Sequence, residues 1–286
     1  MLVPYLVGSA TFMLNESKGY KIRYRKTMKN QLKQQLKGWL LRVGIAALIV
    51  MGLLLSIVLN PDLLYADETV HGNVTIYHNG PIHPLLKVRL DEVRELLKSS
   101  EFYGPEQKFD LCLNDGLGYR QIPRIIFGEA FGWGFYDKVV LNGAANFEEN
   151  TLELNGYKWH LTQLLAHEMV HCMQFDKLGF WKSKPVARIP DWKWEGYAEY
   201  VSRQHADQQD LLINIERVSR TDKESWAVIF DNGTIAPRVY YDYWMMVHYC
   251  LDIKKMTYSE LLADPAAEDT IRAEMMDWYK QEAAIL

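Results

Sequence analysis

The chain has 286 residues, enough to bury a sizeable core, and its aromatic-rich composition excludes a collagen-like or low-complexity protein. Its net charge of −4 conceals an asymmetry: residues 1–42 carry nine Lys/Arg against one acid, Glu16, which leaves 23 basic and 35 acidic residues for the rest. So acidic a main domain argues against nucleic acid as a partner, and the basic N-terminal tail calls for a different one.

The next segment supplies it. Val43–Leu59 is a run of seventeen uncharged residues, with Trp39, Leu40 and Leu41 just before Arg42, whose side chain can snorkel to the interface and lengthen the span. Basic residues crowd its N-terminal side; Asn60-Pro61-Asp62 and Asp67-Glu68 follow on the other. The positive-inside rule then gives a basic cytoplasmic tail over 1–38, a transmembrane signal-anchor helix over 39–60, and an extracytoplasmic domain over 61–286. The competing reading is a cleaved signal peptide, with Met28 as the true start and Lys29, Lys33 and Lys37 as its basic region. The apolar run is long for that, and Leu64-Tyr65-Ala66 lacks a small residue at its first position, so an uncleaved single-pass anchor in the cell membrane is the better reading. Residues 1–14 are apolar but broken by Pro4 and Gly8, and too short to span.

Beyond the anchor, Val74–Tyr77 reads as a strand, Pro84–Leu97 as an amphipathic helix, and Phe109–Leu113 as a further strand. A glycine- and aromatic-rich stretch, Phe127–Tyr136, leads into a strand at Val139–Leu141. From Lys158 the pattern turns helical: Lys158–Leu178, with Gly179 as its stop; a loop marked by Pro185 and Pro190; a helix from Trp192 to about His205 capped by Asp191; then helices near Tyr241–Leu251, Tyr258–Leu262 and Ala267–Gln281. The fold class is α+β, with a mixed sheet first and helices after it. Cys112, Cys172 and Cys250 have no metal-type spacing; outside the cytoplasm one disulfide is permitted, with no pairing preferred. Asn73-Val74-Thr75 and Asn232-Gly233-Thr234 match the glycosylation sequon, which is weak evidence.

His167-Glu168-Met169-Val170-His171 lies in the middle of the first long helix of this second half. Histidines four apart project from one face, so both imidazoles can reach one metal ion; Glu168, one step round, is placed to accept a proton from water activated there. A catalytic zinc ordinarily takes three protein ligands. In one branch of such proteins the pattern continues to a glycine and a third histidine, but Gln174 and Lys177 occupy those places. The other branch draws a glutamate from the next helix, and Glu195 fits, 24 positions after His171 across the proline-bounded loop. Glu199, one turn later on the same face, is the competitor; its other possible role is to accept a hydrogen bond from a ligand imidazole.

At this point a resemblance can be stated. Trp192-Lys193-Trp194-Glu195-Gly196-Tyr197-Ala198 resembles the W-x-x-E-G-x-A segment of the aminopeptidase-N-like gluzincins, which are peptidases of the zincin-like fold. The likeness in order of elements covers residues 70–265, but only the two motif segments match closely. It implies a zincin-like catalytic domain in which His167, His171 and Glu195 hold one Zn2+ and Glu168 is the general base. It also implies a tyrosine donor to the reaction's oxyanion, at the start of a C-terminal helix. Counting back from Leu251 favours Tyr241, with Tyr240 second. The family's G-x-M-E-N strand, whose glutamate binds a free amine, is broken here: Gly143–Glu148 lacks the methionine and the correctly placed glutamate. An exopeptidase is therefore unsupported, although the strand Val139–Asn142 could still pair with an extended substrate. The expected function is a membrane-anchored zinc metallopeptidase acting on a protein or peptide. The alternative is a non-catalytic zincin-fold binding module at the cell surface, for which Glu168 would have no use. Proteolysis inside the bilayer is disfavoured because the only long apolar run ends more than a hundred residues before His167.

Overall fold

The computed structural model describes residues 6–115, 118–184, 186–203 and 208–284, so Pro4, Pro185 and the expected helix end at His205 lie outside the described residues. The chain divides into two units at Asn60–Pro61. The first is one helix, α1 (Leu6–Leu59), in which the basic tail and the apolar run are continuous rather than separate segments. Within its Gln31–Leu59 part an 18-residue window reaches a mean hydropathy of 2.5, and that part is long and apolar enough to cross a membrane.

The second unit is mixed α and β. Strands β1 (Asp67–His71) and β2 (Val74–His78) form a hairpin across Gly72-Asn73, with Gly72 at a φ of 60°. Helix α2 (Leu85–Leu97) crosses over to β3 (Phe109–Cys112), parallel to β2 as a helical crossover permits. A short helix, α3 (Gln121–Phe127), precedes β4 (Gly132–Phe135) and β5 (Lys138–Leu141). The sheet order is β1-β2-β3-β5-β4, with β4 antiparallel to β5 at one edge. One face carries Val74, Ile76, Phe109, Leu111, Val139 and Leu141, all buried in the main core that also takes in the apolar residues of α2 and Leu161–Met173.

Next come β6 (Ala144–Asn146), β7 (Thr151–Leu154) and β8 (Tyr157–His160), a small antiparallel sheet. Asn155-Gly156 closes its second hairpin with φ of 53° and 80°, the pair of positive values a type I′ turn requires. Helix α4 (Leu161–Leu178) therefore begins three residues later than the periodicity suggests, with the His160 ring accepting from the Gln163 N–H at its start. It ends at Gly179, as expected, where φ is 76°. Helix α5 (Asp191–Ser202) follows; Asp191 does not cap it but pairs with Lys184. The remaining elements are α6 (Leu211–Arg220), the hairpin β9 (Ala227–Ile229) and β10 (Ile235–Pro237), α7 (Arg238–His248) running into a π turn at Tyr249–Ile253, α8 (Tyr258–Ala263) and α9 (Glu268–Ala283). All three cysteines are buried and free.

Candidate metal centre

Helix α4 is buried along the whole stretch Leu161–Gln174, lying between β4 and β5 on one side and α2 and α5 on the other. Burial on all sides makes its polar residues conspicuous, because each must find a partner. The i, i+4 spacing brings His167 Nε2 and His171 Nε2 to 3.1 Å. Glu195, in the second turn of α5, places Oε2 3.2 Å from His171 Nε2 and 3.4 Å from His167 Nε2. Gly196 lets α5 deliver it: a Cβ there would lie 2.6 Å from the Tyr243 carbonyl oxygen of α7.

Hydrogen bonds behind the rings decide which nitrogens carry protons. The Gln174 amide nitrogen donates to the Trp194 carbonyl at 3.2 Å, which can only accept, so the amide oxygen faces the other way. That oxygen lies 2.8 Å from His171 Nδ1, which must therefore hold the hydrogen and leave Nε2 with its lone pair. Behind His167, Glu199 Oε1 is 3.1 Å from Nδ1, slightly out of line for a hydrogen bond, and a carboxylate again demands the proton on Nδ1. Two Nε2 lone pairs and a carboxylate oxygen thus converge on one point. Acceptors so close repel unless a cation stands between them. Donors about 2.0–2.1 Å from one tetrahedral ion are about 3.3–3.4 Å from each other, close to the triangle found here. His167, His171 and Glu195 can hold a metal ion.

The electrostatics agree. Burial alone would discharge His167, but the adjacent carboxylates of Glu195 and Glu199 outweigh it and push the imidazole up to about 10. In the metal-free chain a proton on His167 thus stands in for the ion. Burial likewise opposes ionisation of Glu195, yet His171 and His167 hold its carboxyl well below the usual range. Glu199 is also buried; the Arg203 guanidinium, and then His167, more than offset that and keep it ionised. Glu199 therefore braces His167 from behind and is not one of the three converging donors. Two rings hold the imidazoles flat: Trp194 stacks on His171 at 5.7 Å and 8°, and Tyr240 on His167 at 6.1 Å and 23°.

Glu168 lies under the edge strand. Gly132 and Gly134 sit on the sheet face that meets α4, and a Cβ at Gly134 would fall 2.1 Å from the Glu168 backbone oxygen. The Gly134 N–H is close enough to the Glu168 carboxylate to favour its ionised form. Burial is the main cause of this carboxyl's raised pKa, with His167 and His171 opposing.

Two expectations are corrected. Tyr241 is fully buried away from the triad; its hydroxyl bonds Asn214 and accepts from Arg217 at 3.0 Å. Tyr240 is the tyrosine beside the site, its hydroxyl pushed up by burial and then by Glu195, Glu168 and Glu199. The π turn at Tyr249–Ile253 explains the displacement, because it breaks the 3.6-residue register over which the count from Leu251 ran. The strand Val139–Asn142 is not an edge either: β5 lies between β3 and β4, and β4 has the free edge. The Asn142 N–H bonds the Phe131 carbonyl at 2.9 Å. Alternation along the ladder then turns the backbone groups of Gly132 and Gly134 outward. Two contributors escaped the sequence reading, Gln174 and Gly134. Gln174 had a signal, standing three residues after His171 on the same helix face.

No protein-family model matches the chain, and no curated protein matches it.

Proposed function

We propose that this chain is a membrane-anchored, zinc-dependent metallopeptidase of the gluzincin kind, with a zincin-like domain outside the cytoplasm. The observation that carries the reading is the convergence of His167 Nε2, His171 Nε2 and Glu195 Oε2 within 3.1–3.4 Å of one another, beside a buried glutamate that belongs to none of those contacts. A donor set of two imidazoles and one carboxylate suits zinc, and it leaves a fourth position for water or substrate. When bound, zinc would act as a Lewis acid on the scissile carbonyl and acidify water.

The chain's own groups supply the rest. Glu168 takes the proton of the attacking water on its carboxylate and returns it to the leaving amine. Its raised pKa suits both halves of that transfer, since a stronger base still releases the proton to an amine. The Gly134 N–H favours the ionised form of the carboxylate. The Tyr240 hydroxyl is the group placed to donate to developing negative charge on the carbonyl oxygen. The outward backbone groups of Gly132 and the Gly134 carbonyl offer an extended peptide a strand to pair with, the usual way an edge strand binds chain. The basic flank of α1 favours its N-terminus in the cytoplasm, which leaves the site on the outer side.

The test is digestion of a quenched fluorescent peptide library by the full-length chain in detergent. Cleavage should stop on chelation and return with one equivalent of zinc per chain. A zinc-loaded chain that cleaves nothing in the library would remove the peptidase reading. Protease shaving of intact cells checks orientation separately; a protected second unit would reverse it.

A further inference from the structure

The sheet face turned away from α4 has a thin cover. Tyr65 and Tyr119 pack there with ring centroids 5.9 Å apart, and Tyr65 lies 6.1 Å from Tyr77. The single turn Pro61–Leu64, where the chain enters this unit, packs against Gly118–Arg120, and that segment runs directly into α3. Helix α3 presents three consecutive apolar residues to solvent: Ile125, Ile126 and Phe127 are 83%, 58% and 48% exposed. Leu63, on the entry turn itself, is 58% exposed. Such a run on a water-facing surface is unfavourable unless something covers it.

We propose that Leu63, Ile125, Ile126 and Phe127 seat in the headgroup–acyl interface of the bilayer that α1 crosses. The proposal rests on reading α1 as an uncleaved membrane anchor. Continuity of the chain selects the occupant. The apolar span ends at Leu59, and Pro61 is already a buried part of the folded unit, so only Asn60 separates them. One residue reaches about 3.8 Å. Whatever packs on the entry turn is thereby held near the lipid surface, and what packs there is the segment leading into α3. Apolar side chains at that level partition into the interface as those of a surface-lying helix do.

The full-length chain in phosphatidylcholine–phosphatidylglycerol vesicles tests this. Cys112, Cys172 and Cys250 are all buried, so a cysteine introduced at an exposed site can carry an NBD label selectively. Reporters are placed by Leu48→Cys in the span, Ile126→Cys in the patch, and Ile213→Cys on the exposed face of α6 as the water control, using only variants that melt with the parent chain. Doxyl lipids should quench the label at 48 when deep. At 126 the emission should shift to the blue and fall by about half with shallow doxyl groups, as for a side chain seated ~5–10 Å into the interface. The label at 213 should do neither. Quenching at 48 with none at 126 would overturn the docking and leave the anchor standing. No quenching at 48 would overturn the anchor and the docking with it. A blue shift at 126 that doxyl lipids do not quench would mean that protein, such as a second copy, covers the patch, and would also overturn the proposal.

Discussion

Replacing Gly134 with alanine probes the contact between the edge strand and Glu168. The added Cβ would stand 2.1 Å from the Glu168 backbone oxygen, 2.8 Å from its carbonyl carbon and 2.9 Å from its Cα. All three are backbone atoms of a buried helix, so no side chain can swing aside. Restoring an ordinary contact distance requires β4 to retreat from α4 by about 1 Å. Overpacking of this kind costs about 1–3 kcal/mol, and for a unit of this size each kcal/mol lowers Tm by about 2–4 °C. The same retreat pulls the Gly134 N–H from the Glu168 carboxylate, and a ~1 Å misplacement at a reacting group costs about 100-fold in rate. Gly134→Ala should therefore melt earlier, hold its metal, and cleave peptides about 100-fold more slowly at unchanged metal content. Gly104→Ala, with no atom within 4 Å of the added methyl, is the control and should match wild type. A Gly134→Ala chain with wild-type Tm and kcat would refute the packing of β4 on α4 described above.

Glu199→Gln should weaken metal binding about 10–100-fold in chelator competition, because His167 loses the carboxylate that fixes its tautomer. Glu199→Ala should cost more in stability, about 3–5 kcal/mol by chemical denaturation, since it also leaves the buried Arg203 guanidinium unpaired. Tyr240→Phe should lower kcat by up to about 100-fold with metal content unchanged, whereas Tyr241→Phe should spare kcat and lose about 0.5–1.5 kcal/mol of stability with the hydroxyl's bonds to Asn214 and Arg217, which still pair with each other at 2.7 Å. Metal uptake should release a proton at neutral pH, because the metal-free His167 stays protonated up to about 10; calorimetry in two buffers of different ionisation enthalpy reads it. The same shift sets a pH window for the metal-free chain. A raised histidine stabilises fully below its ordinary 6.5 and loses that contribution as pH rises through about 10, so melts of chelated protein should soften across that interval.

The candidate-site residues were legible because helical spacing alone brings His167 and His171 together with Glu168 one step round, and the loop and helix that deliver Glu195 carry plain proline and tryptophan markers. What failed was register. Lys158-Trp159-His160 continues into an apolar helical pattern and reads as its first turn, but Asn155-Gly156 just ahead is a two-residue hairpin signal that makes Tyr157–His160 a strand. The Tyr240/Tyr241 choice was lost to a π turn, which leaves no mark in apolar spacing. Strand β4 was hidden by its own glycines, which have low strand propensity yet are required where Glu168 backbone presses against the sheet. Helix α6 did carry a signal, with Asp210 capping two backbone N–H groups and Leu211, Ile215 and Val218 buried on one face. The covered face of the large sheet, by contrast, is assembled from Pro61–Leu64 and Gly118–Arg120, segments far apart in sequence with no periodicity to join them.

The most direct test of the account is Glu168→Gln in the full-length chain, with metal content and peptide hydrolysis measured on the same preparation. The glutamine keeps the shape but cannot take a proton, and it is not among the three converging donors. The account predicts one zinc per chain in both proteins and hydrolysis in the wild type alone. Undiminished hydrolysis by Glu168→Gln would contradict it.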